Sequence, residues 1–166
     1  NIPYKEFVNK IKTYGKPPIP PYVKKRGHKK SDISNYQTIF AKKEGAVAAP
    51  TASFHFTKSL ITKLKKKQIK IICITLHVNG GTFIPIRTAN VLKHEMHYEF
   101  GFISKKSAQD INKVKKRGGK VIAIGTTVLR LLESSKNSKG YISAYNGETN
   151  IFIKPGWKVN SVDGLV

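Results

Sequence analysis

Gly45-Ala46-Val47-Ala48-Ala49-Pro50-Thr51-Ala52-Ser53-Phe54-His55-Phe56-Thr57 is an uncharged, small-residue run in a chain otherwise studded with lysine. Its alanines let the backbone come close to a neighbour or a ligand, and Pro50 stiffens the chain while removing an N–H donor. Thr51, Ser53, His55 and Thr57 follow, all with side chains able to hydrogen-bond. An amphipathic helix is predicted from about Thr57 to Gln68, with Leu60, Ile61 and Leu64 on one face and Lys63, Lys65, Lys66 and Lys67 in solvent. Small residues, a stiff turn, polar groups and a helix start describe a ligand-facing loop as well as a tight turn whose alanines simply pack.

Downstream, the pattern alternates strand and helix. Ile69 to Val78 reads as a mostly apolar strand buried on both faces, with Cys73 as a buried structural thiol. It delivers Thr75 and His77 to Asn79-Gly80-Gly81-Thr82-Phe83, where paired glycines permit backbone angles closed to other residues. His94-Glu95-Met96-His97-Tyr98-Glu99 precedes a strand through Ile103. Two histidines three apart fit a hydrogen-bonded structural pair, or an acid/base cluster with Glu99, better than a metal site, which shows further ligands at recognisable spacing.

Ser104 is the predicted cap of a helix to about Arg117, which Gly118-Gly119 ends. Lys120 to Ile124 reads as a short buried strand, running into Gly125-Thr126-Thr127 and a helix from Val128 to Ser135. A strand, a glycine, two hydroxyls and a helix start make a seat for an anionic group or a ribose hydroxyl, without the glycine spacing of a Walker loop. Asn146-Gly147 lies between strand-like segments and signals a hairpin, and Val159 to Val162 reads as a final strand. The expected class is therefore α/β, with a mostly parallel sheet and a C-terminal β-hairpin. In such a sheet His77 and Gly125–Thr127 would share one rim, where sites collect.

Upstream, Phe7, Val8 and Ile11 mark a short amphipathic helix over Tyr4–Tyr14, and four prolines between Pro17 and Pro21 enforce an extended connector. Val23 to Lys30, which contains His28, is a basic loop, and Tyr36 to Ala41 reads as a strand or extended segment. The expected organisation is one incomplete domain: 1–44 helix and connector, 45–139 alternating core, 140–166 hairpin and end.

At 166 residues and 39% hydrophobic content the chain can build a core. Its 31 Lys+Arg against 9 Asp+Glu, net +22, favour a nucleic-acid partner. Arginine occurs only at Arg26, Arg87, Arg117 and Arg130, so the excess is lysine and diffuse, which composition alone also produces. One cysteine excludes an intramolecular disulfide and a cysteine zinc cluster. The apolar run from Ile71 to Leu76 is too short to span a membrane, so a cytoplasmic location is expected.

The loops together resemble one family. Gly-Ala-Val-Ala-Ala-Pro-Thr-Ala with Phe-His-Phe-Thr (45–57), Thr-Leu-His-Val-x-x-Gly-Thr-Phe (75–83) and His-x-Met-His-x-Glu (94–99) carry the likeness. So do Ile-Ala-Ile-Gly-Thr-Thr (122–127) with Arg130 and Leu-Glu-Ser (132–134), and Thr-x-Ile-Phe-Ile-x-Pro-Gly (149–156). Ile-Pro-Pro-Tyr (19–22) and Tyr-Gln-Thr-Ile-Phe-Ala (36–41) match as well. These motifs resemble the S-adenosylmethionine:tRNA ribosyltransferase-isomerases of queuosine biosynthesis. The resemblance implies transfer of the ribosyl part of S-adenosylmethionine, a consumed substrate, to 7-aminomethyl-7-deazaguanine at the tRNA wobble position. The sugar is isomerised to give epoxyqueuosine, with adenine and methionine released and no metal required. It also implies an α/β barrel-like catalytic domain, a separate β-barrel domain absent here, and a monomer.

That chemistry needs a base beside the sulfonium, a donor for departing adenine, and polar groups on the sugar. His77, His97 and Glu99 are the candidates for proton transfer. Thr51, His55, Thr82, Arg87, Gly125, Thr126, Thr127 and Arg130 are the candidates for substrate binding. Ser53-Phe54 departs from the family's usual Gly-Leu, Asn79-Gly80 from its Gly and small residue, and Val128-Leu129 from its Ser-Val. A portion of a working enzyme, an inactive remnant and a basic RNA-binding module are the alternatives. Because the family pattern continues past Val166, the 166 residues alone are expected to be inactive and weakly stable.

Overall fold

The structure, a computed structural model, describes residues 2–20, 27, 29–83 and 94–166. It divides into two compact units, Asn1–Gln37 and Thr38–Val166. The first contains α1 (Tyr4–Tyr14), opened at Pro3 and closed by Gly15, whose N–H reaches the Ile11 carbonyl at 2.8 Å. Phe7 and Ile11 on its apolar stripe are exposed. In the short α2 (Asp32–Asn35), the buried Asp32 carboxylate accepts the Lys29 N–H at 2.8 Å.

The second unit begins with turns: the Ala41 N–H bonds to the Thr38 carbonyl, which replaces the strand or extended segment expected over Tyr36–Ala41. Next come a 3-10 turn at Thr51–His55 and α3 (Lys58–Lys66). Thr57 caps α3, its hydroxyl accepting from the Leu60 N–H at 3.1 Å, which fixes the helix start expected near this residue. The chain then runs extended into β1 (Thr75–His77), which pairs antiparallel with β2 (Glu99–Ile103). β2 pairs antiparallel with β4 (Tyr145–Thr149), giving a three-stranded sheet in the order β1-β2-β4. A separate parallel pair joins β3 (Ile122–Ala123) to β5 (Gly164–Leu165). Ser104 caps α4 (Lys105–Lys116), and Gly118 at φ +72° ends it. α5 spans Thr126–Ser135.

The fold is thus mixed α/β, but the mostly parallel sheet is corrected to a mostly antiparallel one. The reason lies in the burial pattern. Only Ile72, Ile74 and Leu76 of the apolar run pack on the core, every second residue, so one face of the extended segment is covered. Cys73 points the other way and is exposed, against the expected buried thiol. β2 shows the same alternation, with Glu99, Gly101 and Ile103 buried and Phe100 exposed. His77 and Gly125–Thr127 accordingly follow strands of different sheets and share no rim.

The expected hairpin at Asn146-Gly147 is also overturned: both residues lie inside β4, with Gly147 opposite Gly101. A two-residue hairpin turn needs φ > 0. That angle occurs instead at Gly140, φ +76°, whose N–H bonds to the Asn137 carbonyl beneath an antiparallel Lys136–Ile142 bridge. The strand expected over Val159–Val162 is displaced to Gly164–Leu165, because Glu133 takes the N–H groups of Asn160 and Ser161.

The core gathers Ile103, Ala108, Ile111, Leu131, Leu132 and Ile142 between the sheet, α4 and α5. α5 lies close on β2 because position 101 is glycine: a methyl there would overlap the Leu131 Cδ1. The Asn112 amide ties α4 to Ile142, donating to its carbonyl at 2.7 Å and accepting from its N–H at 2.8 Å. Glu133, buried on α5, fixes the C-terminal segment by accepting from Trp157 Nε1 at 2.7 Å and pairing with Lys136 at 2.7 Å.

Burial alone would raise the Glu133 carboxyl, but hydrogen bonds from Lys136, Ser161 and Trp157 prevail and hold it at about 2 against an ordinary 4.5. Its contribution is complete above about pH 5 and is lost as pH falls through 4.5 towards 2. The loss is roughly 2 kcal/mol after solvent screening. Urea unfolding between pH 7 and pH 2.5 should show this loss, and Glu133→Gln should be less stable at pH 7 with a flatter acid limb.

Candidate functional site

Glu99 opens β2 on the face that α5 covers, and its side chain is only 3% exposed. A carboxylate there must be paired, since an uncompensated buried charge is costly. Arg130 on α5 supplies the guanidinium, with Nη1 donating to Glu99 Oε2 while Nε donates to the Ile151 carbonyl at 3.2 Å. Glu99 Oε1 accepts the Asn79 N–H at 3.2 Å and lies 3.2 Å from His97 Nε2. Behind this pair, Ser134 and Thr149 hydroxyls meet at 2.5 Å, and Thr149 is the residue opposite Glu99 in the sheet. The result is a His97–Glu99–Arg130 chain joining the 94–98 segment, β2 and α5.

The glycines of the motif have a steric meaning here. A Cβ on Gly81 would lie 2.7 Å from His97 Nδ1, so the Gly80–Phe83 turn closes directly on the imidazole. A carboxylate only accepts hydrogen bonds, so in the neutral ring the His97–Glu99 contact places the proton on Nε2 and leaves Nδ1 with a lone pair. The His97 side chain is 24% exposed, against 3% for Glu99, so the imidazole is the member that can meet a bound molecule. His94 does not join it, packing edge-on against Phe152 with ring centroids 5.5 Å apart.

His77 is in a different place. It stands opposite Phe100 in the antiparallel register, and directly opposed residues share a face, so its side chain lies on the sheet face away from Glu99. Gly45, at φ +132°, passes so close that a Cβ would sit 2.8 Å from His77 Nδ1. The same loop is tied down by the Val47 N–H bonding to the Val78 carbonyl at 2.8 Å.

The small-residue run meets the start of α5. Gly125, buried at φ +92°, precedes the helix, and a Cβ there would lie 3.3 Å from the Ala52 methyl. This contact sets the Thr51–His55 turn beside Gly125-Thr126-Thr127. Thr51, His55 and Thr126 are exposed and Thr127 is half-buried. Thr126 and Thr127 stand four and three residues before Arg130, hence on the same side of α5. The Gly125 N–H is taken by the Val166 carbonyl at 2.7 Å, while its own carbonyl accepts from Val128 and Leu129. Thr82 is exposed on the Gly80–Phe83 turn that covers His97. Arg87 lies outside the described residues. No group of three His, Cys, Asp or Glu side chains among the described residues is placed to hold a metal ion.

Asn79 is the site residue that sequence reasoning passed over. Its N–H binds Glu99, and its side-chain amide donates to the Tyr98 carbonyl at 3.3 Å. An Asx-type residue preceding two glycines was the available signal.

The whole chain, residues 1–166, matches the sequence profile of the family described as queuosine biosynthesis protein. A Zymomonas mobilis protein named S-adenosylmethionine:tRNA ribosyltransferase-isomerase is 50% identical over 153 residues, covering 92% of this chain and 45% of its own. A Rickettsia bellii protein of the same name is 46% identical over all 166 residues, which are 46% of its length. The chain thus spans slightly less than half the length of the curated relatives it matches. A crystal structure of an S-adenosylmethionine tRNA ribosyltransferase from Thermotoga maritima aligns with a TM-score of 0.51 at 30% identity, covering 69% of this chain and 34% of that one.

Removing one partner of a buried ion pair leaves an uncompensated charge. Arg130→Met should therefore lower stability by about 3–5 kcal/mol. Arg130→Met with Glu99→Leu should recover much of that loss. Urea titrations of the three proteins check this, and a double variant no more stable than Arg130→Met would contradict it.

Proposed function

The chain belongs to the queuosine biosynthesis protein family, and from that premise we propose that it forms part of a ribosyltransferase-isomerase catalytic domain. The reaction transfers the ribosyl group of S-adenosylmethionine to the aminomethyl nitrogen of 7-aminomethyl-7-deazaguanine at the wobble position of tRNA. It isomerises the sugar to the epoxycyclopentane-diol of epoxyqueuosine and releases adenine and methionine. The names of the Zymomonas and Rickettsia relatives support this donor and this acceptor class. The 166 residues are read as one portion of a barrel-like domain, acting as a cytoplasmic monomer within the full-length polypeptide.

The observation that carries the site reading is the imidazole held between a buried carboxylate and a glycine turn. A carbon beside a sulfonium is acidified by the positive sulfur, and a base with a lone pair can take its proton. His97 Nδ1 is that base in this reading, and the imidazolium so formed can return a proton to departing adenine. Glu99 is saturated by Arg130, Asn79 and His97, so it positions the imidazole and stabilises its charged form while remaining off the substrate. Thr126 and Thr127, at a helix start, bind ribose hydroxyls or the methionine carboxylate, with Thr51, His55, Gly125 and Thr82 around them. His77, on the far sheet face, belongs to a separate surface that faces the acceptor, and Arg87 completes the binding set.

Epoxyqueuosine formation by a polypeptide of full family length tests the assignment. His97→Ala should lower kcat by roughly 10²–10⁴ with little change in KM for S-adenosylmethionine. Thr126→Ala should chiefly raise KM. Near-full turnover by His97→Ala would make it a structural histidine.

A further inference from the structure

The C-terminal half of α4 and the Asn137–Tyr141 turn enclose an open groove of about 600 Å³. Lys113, Lys116 and Lys139 line it together with the Tyr141 ring. Its walls are held in place. Asn137 Oδ1 accepts the N–H groups of Lys139 and Tyr141, both at 3.0 Å. Lys115 clamps the turn from beneath, donating to the carbonyls of Gly140 at 2.7 Å and Asn160 at 2.8 Å. Burial pushes the Lys115 ammonium below the usual lysine range, consistent with a structural strut behind the groove.

The three lining lysines are different. All are exposed, and none forms an ion pair among the described residues. The neighbouring carboxylates are already committed: Asp110 to Lys70 at 2.7 Å and buried Glu133 to Lys136 at 2.7 Å. Three exposed cations without a direct ion-pair partner among the described residues thus line one concave surface beside an aromatic ring, with Lys116 Nζ 5.9 Å from the ring centroid. We infer that this groove is a docking site for the sugar–phosphate backbone of an RNA strand, with the lysines on phosphates and Tyr141 under a ribose or base. A positive groove with an aromatic platform is the arrangement that follows single-stranded or looped nucleic acid. An acidic peptide would satisfy the cations but leave the ring unused. The inference rests on the reading that tRNA is the substrate, and adds a contact surface that shares no residue with the His97–Glu99–Arg130 chain.

The test is filter binding of the chain to a tRNA transcript with guanine at the wobble position, across a salt series. Lys113→Gln/Lys116→Gln/Lys139→Gln is compared with an equally charged control on α3, Lys63→Gln/Lys65→Gln/Lys66→Gln. The groove variant should weaken binding at least tenfold, and its log–log salt slope should flatten by about 2, from roughly 0.7–0.9 per phosphate lost. The α3 control should change affinity less than threefold, and Tyr141→Ala should weaken binding and lower ultraviolet crosslinking. Circular dichroism melts of the variants should match the parent. Equal losses from both triple variants would mean diffuse attraction and overturn the inference alone, as would equal competition by polyglutamate. Absence of binding by the parent chain would overturn the inference together with the tRNA reading.

Discussion

A carboxylate buried between a sheet and a helix is the constraint on which the rest of this structure depends. Glu99 occupies the first inward position of β2, where an apolar residue would pack without cost and an isolated charge would not be tolerated. Its environment answers with a guanidinium from α5, a backbone N–H from Asn79 and an imidazole from His97. Each partner comes from a different segment, so satisfying one side chain fixes the relative placement of β2, α5 and two loops. Such pairs are weak sources of net stability, since desolvation offsets most of the attraction, but an arrangement that leaves one partner buried and unpaired is strongly destabilised. That is the property a site needs when one imidazole must be held in one tautomer.

Close backbone approach is the second device, and the family-like motifs are largely a record of it. Gly81 lies against His97, Gly45 against His77, Gly125 against Ala52 and Gly101 against Leu131. In the Gly81, Gly45 and Gly101 pairs a side chain occupies the volume a Cβ would need, and at Gly125 the Ala52 methyl would be in tight contact with one. The loops that looked like turn punctuation are therefore fitted surfaces. The small-residue run at 45–52 packs against β1 and the start of α5, and Thr51 within it and His55 just after it stay exposed.

Local chemistry was well written in the sequence, whereas pairing was not. The helix start near Thr57, Ser104 as a helix cap and Gly118 as a helix stop could be read directly, because helix ends involve groups within a few residues. The proximity of His97 and Glu99 was legible from their alternate spacing at the start of a strand. Strand direction depends on partners far along the chain. An alternation of strand and helix suggested a parallel sheet, while the period-2 burial of Ile72, Ile74 and Leu76 belongs to an antiparallel one. Asn146-Gly147 carried a hairpin composition, but both residues pair with β2, Gly147 opposite Gly101, and the turn formed at Asn137–Gly140. Arg130 was a candidate for substrate binding. Its partner among the described residues is Glu99, which no local pattern announces.

The central claim is that Glu99 fixes the proton on His97 Nε2 and leaves Nδ1 free to act as a base. Nitrogen-15 NMR of the imidazole, at a pH where the ring is neutral, measures this directly. The account predicts a dominant Nε2–H form in the parent protein and a loss of that preference in Glu99→Leu. A dominant Nδ1–H form, or a tautomer indifferent to Glu99→Leu, would contradict it.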